Sequence, residues 1–333
     1  MIIDIHAHYI PQLLFDRFDA ARSKFPSVTL KRDGKTNRMQ FPGGELTRPI
    51  MPRLSDLDDR RAWMDKNGID HQLVGGWLDS FGYELPVAEG AAWSRFINDC
   101  MKEALAGEPR FTPLATVPLQ DGTLAAQVLG EAMSAGFGGL MIGTLPKGQG
   151  GNLDDPNLDP FWQAASDLKA GIFLHPMFLC GEPRLADYDL VNAIGRVADT
   201  SIAVARLLHS GHLLKYPGVK LVISHGGAAL PYVLGRLARN FTIAQGKYAD
   251  PRKGFEALYF DSIVFDVDAF EFLAGKAGPG KVMLGSDMPF PIGDLEPQKL
   301  IHASHVNDVE KQAMLGGTAR GIFRLRADCW CRD

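Results

Sequence analysis

The chain has few cysteines, little net charge and no long apolar run, and each of these absences excludes a class of protein or of binding partner. Its formal net charge is -4, and no basic run argues for nucleic acid or a membrane surface as the partner. Neither a signal peptide nor a bilayer-spanning segment is recognisable. We therefore expect a reduced, soluble, cytoplasmic protein. Its four cysteines are scattered, without zinc-ribbon or Cys-x-x-Cys spacing: Cys100, Cys180, Cys329 and Cys331.

What the sequence does contain is a regular alternation of apolar strands and helices. The apolar runs, from Ile2–His8 to Lys281–Gly285, are nearly continuous, as expected for strands that are buried on both faces. The pattern predicts an α/β fold, a (β/α)8 barrel of the TIM type that forms a single domain over residues 1–333. A doubly wound open sheet is the competitor, but it usually has a glycine-rich loop after its first strand. Here that place holds His-Ala-His-Tyr.

Residues 12–50 interrupt this alternation. Within them, Ser27–Leu30 and Arg38–Phe41 flank the pair Asp33-Gly34, a pattern typical of a small β-hairpin. We interpret the segment as a small N-terminal insertion that lies as a lid over the mouth of the barrel.

The first strand ends in two histidines spaced two residues apart, His6 and His8. Because side chains alternate along a strand, both histidines point to the same side. They can therefore present two imidazoles to one metal ion. A strand whose exposed end happens to contain two histidines is the alternative.

Three further polar residues follow other strands of the predicted barrel: His175 the fifth, His225 the sixth and Asp287 the eighth. In such a barrel the carboxyl ends of the strands meet at the face where catalysis occurs. Three imidazoles and one carboxylate suit Zn²⁺, or less well Mn²⁺, with one position open for a water that the metal activates. The fourth strand ends without lysine, so we expect one ion per subunit. Its predicted ligands are His6, His8, His175 and Asp287, and His225 is the predicted catalytic acid or base beside Asp287.

Four short segments resemble motifs of the amidohydrolase superfamily: Asp4-Ile-His-Ala-His8, Leu174-His-Pro176, Ser224-His-Gly-Gly227 and Leu284-Gly-Ser-Asp-Met-Pro-Phe-Pro291. More narrowly, they are similar to the branch that contains aminocarboxymuconate semialdehyde decarboxylase, and the resemblance covers nearly the whole chain. It implies metal-dependent, oxygen-independent decarboxylation of conjugated or aromatic acids, whereas sister members hydrate or hydrolyse ring-cleavage products.

The resemblance also implies substrate-binding residues. It places Arg48 of the insertion, and Arg236 donated by the neighbouring subunit of a homodimer, on the carboxylate of a small-molecule substrate, a role that suits a guanidinium. A solvated surface arginine is the alternative for each. The chain departs from the branch in its pocket wall, where Met177 replaces a tryptophan. Tyr188 lies near the position of a second aromatic residue, where it either offers its hydroxyl to the substrate or packs.

Three functions remain open at this point. The first is a decarboxylase of an unsaturated or aromatic carboxylic acid in aromatic compound catabolism, which uses metal-activated water and His225. The second is a hydrolase of a carbon–carbon bond or lactone (or a hydratase) that acts on an aromatic ring-cleavage product with the same metal site. Tyr188 would then polarise the carbonyl. The third, a metal-binding or ligand-sensing barrel without turnover, is disfavoured because His225 and Asp287 are both present.

Overall fold

The computed structural model describes residues 1–34, 36–147, 151–177 and 181–326, so Cys180, Cys329 and Cys331 lie outside the described residues. The strands within these ranges match the predicted apolar runs to within a few residues. In chain order they are β1 (Ile3–His8), β2 (Thr29–Asp33), β3 (Thr36–Gln40), β4 (His71–Gly75), β5 (Phe111–Ala115), β6 (Gly139–Gly143), β7 (Gly171–His175), β8 (Lys220–Ile223), β9 (Tyr259–Asp261) and β10 (Val282–Met283).

The strands β1 and β4–β10 form one sheet of eight parallel strands, whose spatial order is the order of the chain. Main-chain hydrogen bonds between β1 and the segment after β10 close this sheet into a ring. The nitrogen of Ile5 donates to the oxygen of Leu284 at 3.0 Å, and the nitrogen of His8 donates to the oxygen of Met288 at 2.8 Å. The predicted (β/α)8 barrel is therefore confirmed.

The barrel interior is closely packed. Every residue of β5, β6 and β7 is buried, as expected for parallel strands with side chains on one face and helices on the other. At the end of β4 only glycine fits, because a Cβ added to Gly75 would lie 2.3 Å from the sulfur of Met141. The tight interior fixes the positions of the strand ends, and therefore of the side chains at the rim.

Helices follow the barrel strands on the outside. Several begin at an aspartate that accepts a hydrogen bond from the first turn, such as Asp121 before α4 and Asp266 before α10. Within the described ranges, none of the helices has both the length and the apolar character needed to cross a membrane. The helices are α1 (Gln12–Ala21), α2 (Leu57–Lys66), α3 (Val87–Ala104), α4 (Gly122–Ser134), α5 (Asp159–Asp167), α6 (Arg196–Ser210), α7 (His212–Lys215), α8 (Leu230–Ile243), α9 (Pro251–Phe255), α10 (Val267–Ala277), α11 (Pro297–Ala303), α12 (Asp308–Gln312) and α13 (Thr318–Ile322).

The insertion contains α1 and the antiparallel hairpin of β2 and β3, in which Asp33 pairs with Thr36. The hairpin predicted around Asp33-Gly34 is thus observed. The insertion packs against α3 through a second apolar cluster, separate from the barrel core, in which Phe25 and Phe41 surround the Trp93 ring. Phe290, from the loop after β10, borders the same cluster. The insertion therefore lies on the side of the barrel where the strands end.

His71, at the start of β4, makes the stability of the protein depend on pH. Its ring is buried and hydrogen-bonds Thr112 through Nε2 at 2.8 Å. Burial, together with the charges of Arg326 and Arg110, lowers the pKa of His71 to about 4. Since the unfolded chain takes up this proton near pH 6.5, the free energy of unfolding should fall as the pH drops from about 6.5 to about 4, by about 1.4 kcal/mol per pH unit.

The His71→Gln variant tests this prediction, because glutamine keeps an amide near Thr112 but does not titrate. Urea unfolding of both proteins between pH 4 and 7 should show a steeper loss of stability for the wild type. His302→Gln, at an exposed position of α11, is the matched control and should follow the wild type. Parallel curves for the wild type and His71→Gln would contradict the prediction.

Candidate metal centre and active site

The four predicted metal ligands meet at the carboxyl end of the barrel. β1 supplies His6 and His8, β7 ends at His175, and Asp287 follows β10. One ligand atom from each residue can be chosen so that all four atoms lie within 4.8 Å of one another, and all four residues are buried. Residues separated by up to 281 positions in the sequence thus share one point in space, which is the arrangement that the strand-end positions predicted.

Each of the three imidazoles is hydrogen-bonded on the side away from the cluster. His6 Nδ1 donates to Asp261 Oδ2 at 2.7 Å, and the Nδ1 atoms of His8 and His175 donate to main-chain carbonyl oxygens at 3.0 and 2.9 Å. Because these oxygens can only accept, each Nδ1 carries a proton, and in the neutral form of each imidazole the Nε2 lone pair faces the centre. This is the tautomer that metal-binding histidines adopt.

The atoms at the centre fit a divalent ion. Asp287 Oδ1 lies 3.3 Å from His6 Nε2 and 3.1 Å from His8 Nε2. His175 Nε2 is buried and has no hydrogen-bond partner among the described residues. A buried nitrogen that lacks a partner is unfavourable, and a cation would satisfy it. Three imidazole nitrogens and one carboxylate are a donor set that binds Zn²⁺ and related ions.

The charges in this cluster compensate one another in the absence of an ion. Burial disfavours a charge on His6, but Asp287 and Asp261 raise the pKa of His6 to about 10. Burial also opposes ionisation of Asp287, yet His6 and the neighbouring histidines hold the pKa of its carboxyl well below the usual value. Burial and the adjacent imidazoles lower the pKa of His175 well below its normal range. A divalent ion would therefore replace the proton that His6 holds.

Asp4 joins strand β1 to the loop that carries Asp287. Its carboxylate accepts hydrogen bonds from the main-chain nitrogens of His6 and Ser286, at 3.1 and 3.0 Å, and from the Ser286 hydroxyl. Gln72 of β4 donates a further hydrogen bond at 2.7 Å. This buried network keeps the His6 side and the Asp287 side of the centre at a fixed separation.

Asp261, the last residue of β9, is a residue of the site that the sequence analysis did not assign. Besides His6 Nδ1, its carboxylate accepts hydrogen bonds from the main-chain nitrogens of His225 and Gly226 at 2.9 and 2.7 Å. It therefore orients both a ligand imidazole and the turn that carries His225. Its place at the end of a barrel strand was the available signal, the same signal that identified His175.

We expect Asp261→Asn to weaken metal binding by about 10–100-fold, the usual cost of removing the partner that orients a ligand histidine. The amide presents a donor where His6 Nδ1–H and two main-chain N–H groups need an acceptor. Competition with a chromophoric chelator would measure the affinity. Asp121→Asn is the matched control, because asparagine caps α4 as well as aspartate does. Unchanged metal affinity in Asp261→Asn would contradict the orienting role.

His225 lies beside the cluster without belonging to it. Its Nε2 is 3.8 Å from Asp287 Oδ2, and its ring centroid lies 5.3 Å from that of His6 and 5.2 Å from that of His175. Its side chain is 16% exposed, so its ring is accessible from outside the cluster. The residue has a φ of +53° and Gly226 follows with +62°, a left-handed turn that directs the ring toward the centre.

A cavity of about 380 Å³ lies over His225 and Asp287. A narrower space beside it is bordered by His8, His175, Trp77, Asp79 and Phe290, and both spaces are bordered by Arg196. Polar groups therefore lie near the metal centre, and apolar side chains form most of the remaining wall. These apolar residues are Ala193, Val197, Ala228, Ile263, Val264, Phe265 and Ile292.

Another cavity, of about 540 Å³, lies between α10 and α11. Its described lining residues include none of the clustered histidines, and it shares Phe265 with the smaller cavity. We assign the site to the smaller cavity because that one contacts His225 and Asp287.

The three predicted substrate-binding residues lie farther out. Arg48 is 54% exposed, contacts Asp79 at 3.5 Å and has its guanidinium carbon 5.7 Å from the Trp77 ring centroid. Arg236 lies on the exposed side of α8, and Tyr188 is 91% exposed. Asp79 and Trp77, which Arg48 contacts, line the narrow space, but Arg48 itself, like Arg236 and Tyr188, is not among the described residues that line either space.

Comparison with known proteins places this site in a family. The family model for amidohydrolases (Amidohydro_2) matches residues 3–325. The chain belongs to the amidohydrolase family. The family predicted from the strand-end motifs is therefore confirmed.

Characterised relatives of this amidohydrolase are decarboxylases. It is 28% identical to 2-amino-3-carboxymuconate-6-semialdehyde decarboxylase of Dictyostelium discoideum, over 97% of this chain and 91% of the relative. The crystal structure of 5-carboxyvanillate decarboxylase from Sphingomonas paucimobilis superposes with a TM-score of 0.78 at 26% identity, covering 98% of this chain and 99% of that one.

A dihydroxybenzoic acid decarboxylase from Polaromonas sp., solved with manganese and the inhibitor 2-nitroresorcinol, has a TM-score of 0.75 at 21% identity, over 99% of each chain. At that identity the match shows a shared fold. The two relatives above 25% identity support the expected enzyme class, an amidohydrolase-superfamily carboxy-lyase.

Proposed function

We propose that this amidohydrolase is a metal-dependent, oxygen-independent decarboxylase of a small unsaturated or aromatic carboxylic acid. The observation that carries the proposal is the convergence of four buried ligand atoms beside His225, at one side of a cavity of about 380 Å³ with largely apolar walls. Such walls suit a flat conjugated skeleton, and the polar groups at the centre suit its reacting end. The named activities of the relatives support the same reaction.

The proposed cofactor is one divalent ion held by His6, His8, His175 and Asp287. The donor set of three imidazole nitrogens and one carboxylate favours Zn²⁺, while the manganese in the Polaromonas relative supports Mn²⁺. When bound, the ion supplies a Lewis acid that activates water and stabilises negative charge on the conjugated substrate. Loading the metal-free protein with each ion separately, and measuring turnover, distinguishes them.

His225 is the proposed acid or base. Its ring is next to the centre but outside the ligand set, and one face is open to the cavity. There it can take up a proton from water and donate it to the carbon whose bond to CO₂ breaks. The insertion over residues 12–50 is the proposed lid. The insertion packs against Phe290 of the loop after β10, and the ring centroid of Phe290 is 5.1 Å from that of His8.

The second function, hydrolysis of a carbon–carbon bond or lactone, would use the same ion and His225. In that reaction Tyr188 would polarise a carbonyl, but this residue is almost fully exposed in the single chain. The direct test is a screen of conjugated carboxylic acids with the metal-loaded enzyme, monitoring CO₂ together with product mass. Release of CO₂ with the remaining skeleton intact supports the decarboxylase. Split products without CO₂, or an addition of water, would contradict it.

The proposed homodimer gives Arg236 its role. Because this side chain is exposed on α8 of its own chain, it contacts substrate only if α8 meets the site of a second subunit. We expect Arg236→Ala to raise KM by about 10-fold, the loss of a charge-assisted pair, with little change in thermal stability. Arg239→Ala, exposed on the same helix, is the control. A monomer in sedimentation, or an unchanged KM, would count against this contact.

A further inference from the structure

Arg196 occupies a place in the site that its sequence context does not indicate. It is the first residue of α6, directly after a π-helical turn over Val191–Gly195. Its side chain borders both the cavity of about 380 Å³, together with His225 and Asp287, and the narrow space beside His8. Among the described residues that line these two spaces, it is the only arginine or lysine.

The start of α6 is anchored to the barrel. Asp199, one turn after Arg196, is buried and accepts hydrogen bonds from the main-chain nitrogen of Met177, at 2.8 Å, and from the Thr144 hydroxyl. These partners follow β7 and β6, the strands next to the centre. Farther along α6, Val204 is fully buried in the barrel's outer layer. The backbone that carries Arg196 is therefore held in a fixed position beside the site.

Arg196 lies in the electrostatic field of the carboxylates at the centre. Burial lowers the pKa of Arg196, while the nearby carboxylates of Asp287 and Asp79 oppose this shift. Asp79 also contacts Arg48, at 3.5 Å. A divalent ion held by three neutral imidazoles and the Asp287 carboxylate would give the centre a net positive charge. Asp287 would then offset the guanidinium charge less, and a substrate carboxylate would be attracted to Arg196.

The other candidate arginines are less well placed within one chain. Arg48 is 54% exposed and lies over the Trp77 ring, and Arg236 lies on the outside of α8. Arg196, in contrast, borders the same cavity as His225, the proposed acid or base. A carboxylate held by Arg196 would therefore lie in the same cavity as the His225 ring.

We propose that Arg196 determines the substrate specificity of the site. It belongs to the same chain as the metal ligands, binds a carboxylate of the substrate, and so selects acids over their uncharged analogues. The inference rests on the proposed function and names the group that recognises its substrate class. Guanidinium and carboxylate form two parallel hydrogen bonds, so arginine discriminates in geometry as well as charge. Lysine would keep the charge but lose the paired geometry.

The test compares ligand pairs in the metal-loaded enzyme. A panel of monocyclic aromatic and conjugated carboxylates, each paired with its decarboxylated counterpart, is titrated against the wild type, Arg196→Gln, Arg196→Lys and the control Arg206→Gln. Arg206 lies exposed on the same helix. We expect Arg196→Gln to lose about 10–100-fold in affinity for the acids and to keep its affinity for the counterparts, its metal content and its unfolding temperature. Arg196→Lys should recover part of the loss.

Each outcome decides between the claims. Wild-type selectivity for acids that disappears in Arg196→Gln supports the inference. If the wild type releases CO₂ and Arg196→Gln still prefers acids as strongly, the inference fails and the decarboxylase stands. An equal loss for acids and counterparts shows a packing role and overturns the inference as well. A wild type that binds none of the acids, and releases no CO₂, overturns both.

Discussion

His225→Asn and His225→Ala are each expected to retain one metal ion per chain and to lose turnover by about 10²–10⁴-fold, the usual contribution of a positioned acid or base. Retention is expected because the His225 ring lies outside the ligand set, with its Nε2 3.8 Å from Asp287 Oδ2. Loss is expected because no other described residue that lines the cavity of about 380 Å³ carries an imidazole.

The two His225 variants separate chemistry from folding. The φ of +53° at His225 strains alanine, whereas asparagine tolerates this left-handed conformation. His225→Asn therefore serves as the fold-preserving variant, with metal content and the rate of CO₂ release as its readouts. His302→Ala, on the exposed side of α11, controls for the loss of an imidazole elsewhere. Full turnover by His225→Asn would remove His225 from the mechanism.

His175→Ala is expected to abolish tight metal binding and, with it, turnover. The Nε2 of His175 is buried and has no hydrogen-bond partner among the described residues, so its clearest role is to bind an ion. With excess ion at about 100 times its dissociation constant, the wild type should gain about 2.7 kcal/mol of stability. The variant should lose most of this gain.

Thermal unfolding with and without added Zn²⁺ or Mn²⁺ measures this difference without reference to any substrate. His212→Ala is an informative control, because this ring is also buried but lies on α7, away from the centre. It should lower stability while leaving the metal-induced rise intact. A His175→Ala protein that is stabilised by metal as strongly as the wild type would show that the ion binds elsewhere.

The residues at the ends of strands were predictable because strand geometry is local. An apolar run that ends in a histidine, such as His175 or the pair His6 and His8, is recognisable from a few consecutive residues. The barrel fold then brings the ends of all its strands to one rim. The same reasoning located Asp287. The hairpin around Asp33-Gly34 was predictable for the same reason, since its turn chemistry is local.

Asp261 and Arg196 were harder to predict because their roles arise from long-range packing. Asp261 bonds to His6 across 255 positions of the sequence, and its strand is short and only weakly apolar. Arg196 lies within one continuous helical pattern, so no strand end marked it. A π-helical turn before α6 and the hydrogen bonds of Asp199 direct it to the cavity, and neither feature is visible in periodicity.

The central claim is that distant parts of the chain bind one metal ion at the rim of the barrel. Anomalous X-ray diffraction from crystals of the metal-loaded protein tests it most directly. We predict a single anomalous peak about 2.0–2.2 Å from each ligand atom, with His225 outside this shell and the ligands being His6, His8, His175 and Asp287. A fully loaded protein whose peak lies elsewhere, or whose His175 or Asp287 is not bound to the ion, would contradict the account.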